Sequence, residues 1–309
     1  MPVPDYEIGF EPKLSFLSEK DKEKLYSSAL QIIEETGMQV MHEDALRLLK
    51  DAGCKVGSDE HSSLVKIPAA LVENARKSVP ENIAIYDREG NHAMDLGGRR
   101  AYFGTGSDLM WSVESEKMER HHTRLEDLKI AARVCDALPN IDFIMSFAHP
   151  HDVNPELSYL ESFKAMSENS TKPIVNTADG KRDLQAMWEI SKVLRGSEKE
   201  LRAKPYWIQY DEPISPLKHP FNSLDKLIFC AKTASPVIYS PAPIAGSTAP
   251  MTVAGHIVQG LAESFFGMVI HQLAAEGAPF LMGIGAAVLD MSTSQCSYNS
   301  PEYMMTYMA

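Results

Sequence analysis

The sequence predicts an α/β fold built on a parallel sheet. From about residue 100 onward, short apolar runs alternate with amphipathic helical patterns. Each is a short apolar run rather than a long alternation, which is typical of parallel strands that are buried on both faces. The six predicted strands cover residues 101–105, 142–147, 173–177, 206–210, 236–240 and 279–284.

Amphipathic helices are predicted between these strands. One begins at Thr123, where Glu126 completes a capping box, and others cover residues 155–167, 183–195, 223–233 and 253–276. Ser300 followed by Pro301 begins a sixth helix. A (β/α)8 barrel needs eight such units. The six units therefore leave two alternatives open, an open doubly wound sheet and a barrel that is incomplete at its C-terminal end.

The first 98 residues show a different pattern. A helix capped by Ser18 ends at Gly37, a second ends at Gly53, and a third begins at Pro68. Alternating apolar residues from Ile83 onward, followed by a turn, predict a short β-ribbon. We therefore divide the chain into an N-terminal helical extension with a ribbon (1–98) and an α/β domain (99–309).

Composition excludes several classes of function. The chain carries 42 acidic and 30 basic residues, a formal net charge of -12, which disfavours nucleic acids and anionic lipids as partners. The N-terminus has no signal-peptide pattern, and no uninterrupted apolar stretch is long enough to span a membrane. The four cysteines lie far apart, which indicates free thiols in a cytoplasmic protein.

The residues that follow the predicted strands are the candidates for a functional site, because parallel sheets place their sites at the carboxyl ends of the strands. Acidic and aromatic residues dominate these positions, and lysine and arginine are sparse. Such a rim suits a cation, although strand-end Asp and Thr also commonly cap the next helix. His149 and His151 have the spacing of metal ligands, but too few further ligands follow later strands, so no metal site is predicted.

Several segments, in this order and spacing, resemble the trimethylamine methyltransferase family over essentially the whole chain. They are "IIEETGMQV" and "LLKDAGCKV" in the N-terminal region, "AYFGTGSD" at the first strand, "DLKIAARVCDALPNIDF" before the second, "SPLKHPFNSLDKLIFCAKTASPVIYSPAPIAGSTAPMTVAG" around the fifth, and "SYNSPEY" near residue 300. The resemblance implies a TIM-type (β/α)8 barrel with an N-terminal helical extension, of which this sequence contains about six units.

The resemblance also implies an activity. Members transfer a methyl group from trimethylamine, or from a quaternary amine such as glycine betaine, to the Co(I) centre of a separate corrinoid protein. This chain is then expected to bind no cofactor itself, and a homo-oligomer is a further expectation. The expected substrate-binding residues are Phe103, Asp108, Trp111, His149, Tyr210 and Tyr239.

The catalytic residues stay unassigned. Family members from methanogens carry pyrrolysine at a position that falls beyond Ala309. Two other functions remain as alternatives: a different barrel enzyme, such as a lyase or hydrolase that uses carboxylates as acid and base, and an inactive, truncated remnant that only binds cations.

Overall fold

The fold was analysed in a computed structural model of the chain, which describes residues 15–57, 63–98, 100–114 and 116–309. Within these ranges there are ten α-helices: α1 (Glu19–Gln31), α2 (Glu43–Asp51), α3 (Ala69–Ser78), α4 (Leu125–Ala137), α5 (Ser158–Asn169), α6 (Lys181–Arg195), α7 (Glu198–Ala203), α8 (Phe221–Thr233), α9 (Val253–Ala274) and α10 (Pro301–Met308). A π-helical turn, Ile32–Thr36, follows α1, and a 3-10 turn, Pro155–Leu157, precedes α5. The expectation about a signal peptide at the N-terminus concerns residues outside the described ranges.

Short strands connect these helices. In chain order they are β1 (Met38–Val40), β2 (Lys55–Val56), β3 (Leu64–Lys66), β4 (Ile83–Tyr86), β5 (His92–Leu96), β6 (Trp111–Glu114), β7 (Glu119–His122), β8 (Ile174–Asn176), β9 (Trp207–Asp211), β10 (Lys218–His219), β11 (Val237–Tyr239), β12 (Ile244–Ala245), β13 (Phe280–Met282), β14 (Ala287–Asp290) and β15 (Gln295–Ser297).

The central sheet is parallel, which confirms the predicted α/β class. Strands β8, β9, β11 and β13 lie side by side in chain order, with Ile238 opposite both Tyr210 and Leu281. This order lacks the reversal of a doubly wound sheet. Over the described residues the sheet is open, and it does not close into a barrel.

The first two predicted strands, 101–105 and 142–147, are wrong as strands. These segments form isolated parallel bridges rather than ladders: Gly104 with Phe143 joins the two segments to each other, and Ile144 with Ile174 joins the second segment to β8. Side-chain oxygens accept hydrogen bonds from the backbone N–H groups that a regular ladder would use. The Asp142 carboxylate accepts from the Phe103 N–H at 2.7 Å, and the Thr105 hydroxyl accepts from the Met145 N–H at 2.8 Å.

The N-terminal helices form as predicted and pack on the long helix α9. Ser18 caps α1, and Gly37 ends the π-helical turn with φ 79°, where a side chain would meet the Val65 carbonyl. Strand β1 pairs with β3 and also lies parallel to β10, so this region shares one sheet with the α/β part. The ribbon of β4 and β5 is also confirmed.

Helix α9 has the length and apolar composition of a membrane span, but most of it is buried inside the protein. It packs against α1, α3 and α8, and its buried glutamate, Glu263, accepts from the Leu217 N–H and the Ser215 hydroxyl. Contacts with so many elements are those of the core helix of a globular protein.

Two local features differ from the prediction. The N-cap of helix α4 lies one residue later than expected, at Arg124 instead of Thr123, because Asp127 rather than Glu126 bonds back to the backbone of the capping residue. The hairpin of β6 and β7 was not predicted, although Trp111 and Val113 alternate with polar residues and a turn follows them.

The side chain of Lys172 caps the C-terminal end of α4. Its ammonium donates to the carbonyls of Cys135, Leu138 and Ile141 at 2.5–2.7 Å. Lys172→Met is expected to lower the free energy of unfolding by about 1–3 kcal/mol, because three carbonyls at this helix end lose a charged donor at once. Chemical denaturation measures this loss. The control is Lys192→Met, which removes a single surface ion pair with Glu189 and should cost below about 0.5 kcal/mol. Equal losses for the two variants would contradict the assigned role.

Candidate functional site

A cavity of about 540 Å³ opens at the carboxyl ends of β8 and β9. This is the position predicted for the site and a usual volume for a small-molecule pocket. Its lining includes four carboxylates, three aromatic rings and one ammonium: Asp108, Asp179, Asp211, Glu212, Tyr159, Tyr210, Phe221 and Lys226. The excess of carboxylates and the aromatic faces favour a cationic ligand.

Asp108 reaches the cavity from the loop that follows the first bridged segment. Its backbone has φ 59°, a left-handed conformation that Asp and Asn tolerate better than most residues. One carboxylate oxygen, Oδ1, accepts from the hydroxyls of Ser146 and Thr177, both at 3.2 Å. These two bonds hold the carboxylate in place at the cavity.

A buried ion pair forms one wall of the cavity. Asp211 ends β9 and is 2% exposed, and its Oδ1 lies 3.1 Å from Nζ of Lys226 on α8. Lys226 also donates to the Ala178 carbonyl at 2.8 Å. Burial raises the pKa of Asp211 to about 6, even though the Lys226 ammonium lowers it. Among the described residues, Oδ2 of Asp211 has no hydrogen-bond partner.

The tyrosines of the cavity are neutral hydrogen-bonding groups. The Tyr210 hydroxyl donates to Oε2 of Glu212 at 3.1 Å, and burial followed by this carboxylate raises the pKa of Tyr210. Glu212 reaches solvent, but the surrounding protein partly desolvates its carboxyl and raises its pKa. Burial also raises the pKa of Tyr159, with smaller contributions from Asp108 and Asp179.

Of the predicted site residues, the structure brings Asp108 and Tyr210 together in the cavity. Tyr239 lies elsewhere: it is fully buried in the core, and its hydroxyl bonds to Nδ1 of His219 at 2.7 Å. Phe103 is 69% exposed and lies outside the cavity lining.

Trp111 and His149 belong to a row of contacting rings that ends at the cavity. His122 stacks on Trp111 with 3.9 Å between ring centroids, and His151 lies 4.5 Å from His122. The ring of His149 contacts the rings of His151 and of the cavity residue Tyr159, with 6.1 and 5.3 Å between centroids. Trp111 and His149 therefore belong to the wall beside the cavity, and their role in substrate binding stays a prediction.

Several residues of the cavity were not predicted from the sequence, among them Lys226 and Tyr159. Lys226 lies within the apolar pattern of α8, and Tyr159 lies within α5 rather than after a strand. For Lys226, the signal in the sequence is Asp211, which directly follows a predicted strand. A buried carboxylate at that position needs a charged partner. Within the described ranges, no cluster of three or more His, Cys, Asp or Glu could hold a metal ion.

Comparison with known proteins identifies relatives along nearly the whole chain. The family model for trimethylamine methyltransferase (MTTB) matches residues 6–309. A trimethylamine methyltransferase of Desulfitobacterium hafniense is 27% identical over 80% of this chain and 50% of the relative. A glycine betaine methyltransferase of the same species is 27% identical over 94% of this chain and 60% of the relative. A trimethylamine methyltransferase of Methanosarcina thermophila is 28% identical over 79% and 52%.

The chain thus spans about half to three fifths of the length of these relatives. Among solved structures, the monomethylamine methyltransferase of Methanosarcina barkeri matches with a TM-score of 0.52 at 11% identity, covering 93% of this chain and 63% of that one. A complex of this type of enzyme with hydroxylamine matches equally well. At this identity the match shows a shared fold.

Proposed function

Because this chain belongs to the trimethylamine methyltransferase family, we propose that it takes part in moving a methyl group from a small methylated amine to the Co(I) centre of a corrinoid protein. The observation that carries the proposal is the cavity at the strand ends, where four carboxylates and three aromatic rings surround space for a small cation. A methylated ammonium group is such a cation, and a quaternary one has no N–H to donate, so aromatic faces and a nearby carboxylate are the means to hold it.

The residues of the chain would act by position and desolvation. Asp108 and the ring of Tyr210 would hold the ammonium with one methyl group facing the opening. A quaternary nitrogen is already a cationic leaving group, so the C–N electron pair stays on the departing amine and no proton has to move. The corrinoid, carried by the partner protein, supplies a strongly nucleophilic cobalt as the methyl acceptor.

The wider architecture is proposed on the same basis. The strands of the parallel sheet follow one another in chain order, as they do in a (β/α)8 barrel, so we propose that they form an arc of such a barrel. We also propose the cytoplasm as the compartment. The four cysteines, all within the described ranges and all free thiols, support this.

The proposed function is tested by mixing the purified chain with methylated amines and a reduced corrinoid protein, and by following the corrinoid absorption spectrum. Methylation of the cobalt that depends on both the amine and the chain supports the proposal. Cation binding without methyl transfer would favour a protein that only binds methylated cations.

Replacement of Asp108 by asparagine is expected to weaken the binding of tetramethylammonium about tenfold, since one exposed negative charge beside the cation is lost. Asparagine keeps the shape and tolerates the left-handed backbone at this position. Titration calorimetry measures the change. The matched control is Asp44→Asn, on the surface of α2 outside the cavity lining, which should leave the affinity as it is. An unchanged affinity in Asp108→Asn would remove Asp108 from the site.

A further inference from the structure

The ion pair of Asp211 and Lys226 has hydrogen-bonding capacity that the protein does not use. Oδ2 of Asp211 has no hydrogen-bond partner within the described chain. The residue is only 2% exposed, and it lines the cavity. An unused acceptor of this kind is costly, because a buried carboxylate oxygen loses its hydration and gains nothing in return. A bound ligand that donates a hydrogen bond would remove this cost.

Lys226 offers the complementary capacity on the same wall. An ammonium group has three N–H donors, and among the described residues its contacts are Oδ1 of Asp211 and the Ala178 carbonyl. One donor therefore remains for a ligand. The Ser223 hydroxyl lies near and contributes to lowering the pKa of Asp211, but its hydrogen bond, at 3.4 Å, goes to the Tyr239 hydroxyl.

The pair selects among the groups that a methylated amine can carry. A substrate carboxylate could accept from Lys226 but would meet the Asp211 carboxylate. A protonated amine could donate to Asp211 but would place a second cation beside Lys226. A hydroxyl group donates to one and accepts from the other, and it is neutral, as the ion pair is overall.

We infer that Asp211 and Lys226 together bind a hydroxyl group of the substrate, so that the cavity takes a methylated amino alcohol whose ammonium lies toward Asp108 and Tyr210. This inference rests on the proposed function, since it assigns a substrate class to the same cavity. The volume of about 540 Å³ accommodates both groups of such a molecule.

The test compares ligands that share the trimethylammonium group and differ only at the other end. Choline carries the hydroxyl, propyltrimethylammonium replaces it with a methyl group, and the methyl ether of choline keeps the oxygen but cannot donate. Titration calorimetry of the full chain should show choline binding about tenfold to hundredfold more tightly than the propyl analogue, with the ether close to the propyl compound. Glycine betaine, which carries a carboxylate, should bind more weakly than choline.

Equal affinities for choline and propyltrimethylammonium would overturn the inference and leave the proposed cation site standing. If tetramethylammonium and all of these ligands fail to bind, the cation site itself is wrong, and the inference falls with it. The two failures are thus distinguishable, and neither requires a variant.

Two variants test whether Asp211 and Lys226 cause the preference for choline over the propyl analogue. Replacing both partners at once, with Asp211→Leu and Lys226→Met, removes the acceptor and the donor without leaving either charge unpaired. The double variant should bind choline and the propyl analogue equally well. Lys181→Met breaks an ion pair with Asp225 outside this cavity and should keep the preference for choline. Persistence of the preference in the double variant would contradict the assignment to this pair.

Discussion

Replacement of Lys226 by methionine is expected to lower the free energy of unfolding by about 3–5 kcal/mol, the usual cost of removing one partner of a buried ion pair. Its side chain is 11% exposed and that of Asp211 is 2% exposed, so water can do little to replace the lost ammonium. The Ala178 carbonyl loses its donor as well. Denaturant unfolding at pH 7 measures the loss.

Two comparisons separate charge from packing at this position. The loss should shrink as the pH falls from 7 toward 4, because Asp211 can then take up a proton and no unpaired charge remains buried. Adding Asp211→Leu to Lys226→Met should recover most of the stability, since the apolar pair fills a similar volume. A loss that is the same at both pH values, and that the second substitution does not reduce, would mean that packing alone is responsible.

Asp211 is also expected to make the free energy of unfolding depend strongly on pH. Its pKa rises from 3.8 to about 6 on folding, so the folded state holds this proton more tightly than the unfolded chain. The stability that this residue contributes is therefore greatest below about pH 4, declines as the pH rises toward about 6, and is lost at neutral pH. The shift corresponds to on the order of 3 kcal/mol, at about 1.4 kcal/mol for each pKa unit.

This contribution can be isolated with Asp211→Asn. The other titrating groups occur in both proteins and largely cancel when the free energy of unfolding of the variant is subtracted from that of the wild type. The difference should fall by about 3 kcal/mol as the pH is raised from 4 to 7. A difference that does not change with pH would show that Asp211 titrates near its ordinary value and is not held in a desolvated site.

The parallel class of the fold could be predicted because burial on both faces of a strand leaves a clear signal. The runs around Val175, Ile208, Val237 and Phe280 are short and mainly apolar, and all four form paired strands. The first two segments carry similar runs, but polar side chains such as Thr105 take the backbone donors. That choice between a side chain and a neighbouring strand depends on tertiary placement.

The candidate site was partly predictable for a related reason. Asp108 follows the first bridged segment and Tyr210 lies near the carboxyl end of β9, so their place in the chain indicates their place in the cavity. Tyr239 has the same kind of position but ends in the core, because its ring packs under α9 against Gly267 and its hydroxyl meets His219. Lys226 reaches the cavity from helix α8. Its position in the sequence does not show that its ammonium lies beside Asp211.

The proposed function requires that a methylated ammonium cation binds in the cavity between Asp108 and Tyr210. The most direct test is a crystal structure of the chain with tetramethylarsonium, whose arsenic can be located by anomalous scattering. An arsenic peak is expected inside the cavity, against the ring of Tyr210 and beside the Asp108 carboxylate. A cavity without arsenic at a concentration that saturates binding in solution, or a peak only elsewhere on the protein, would contradict it.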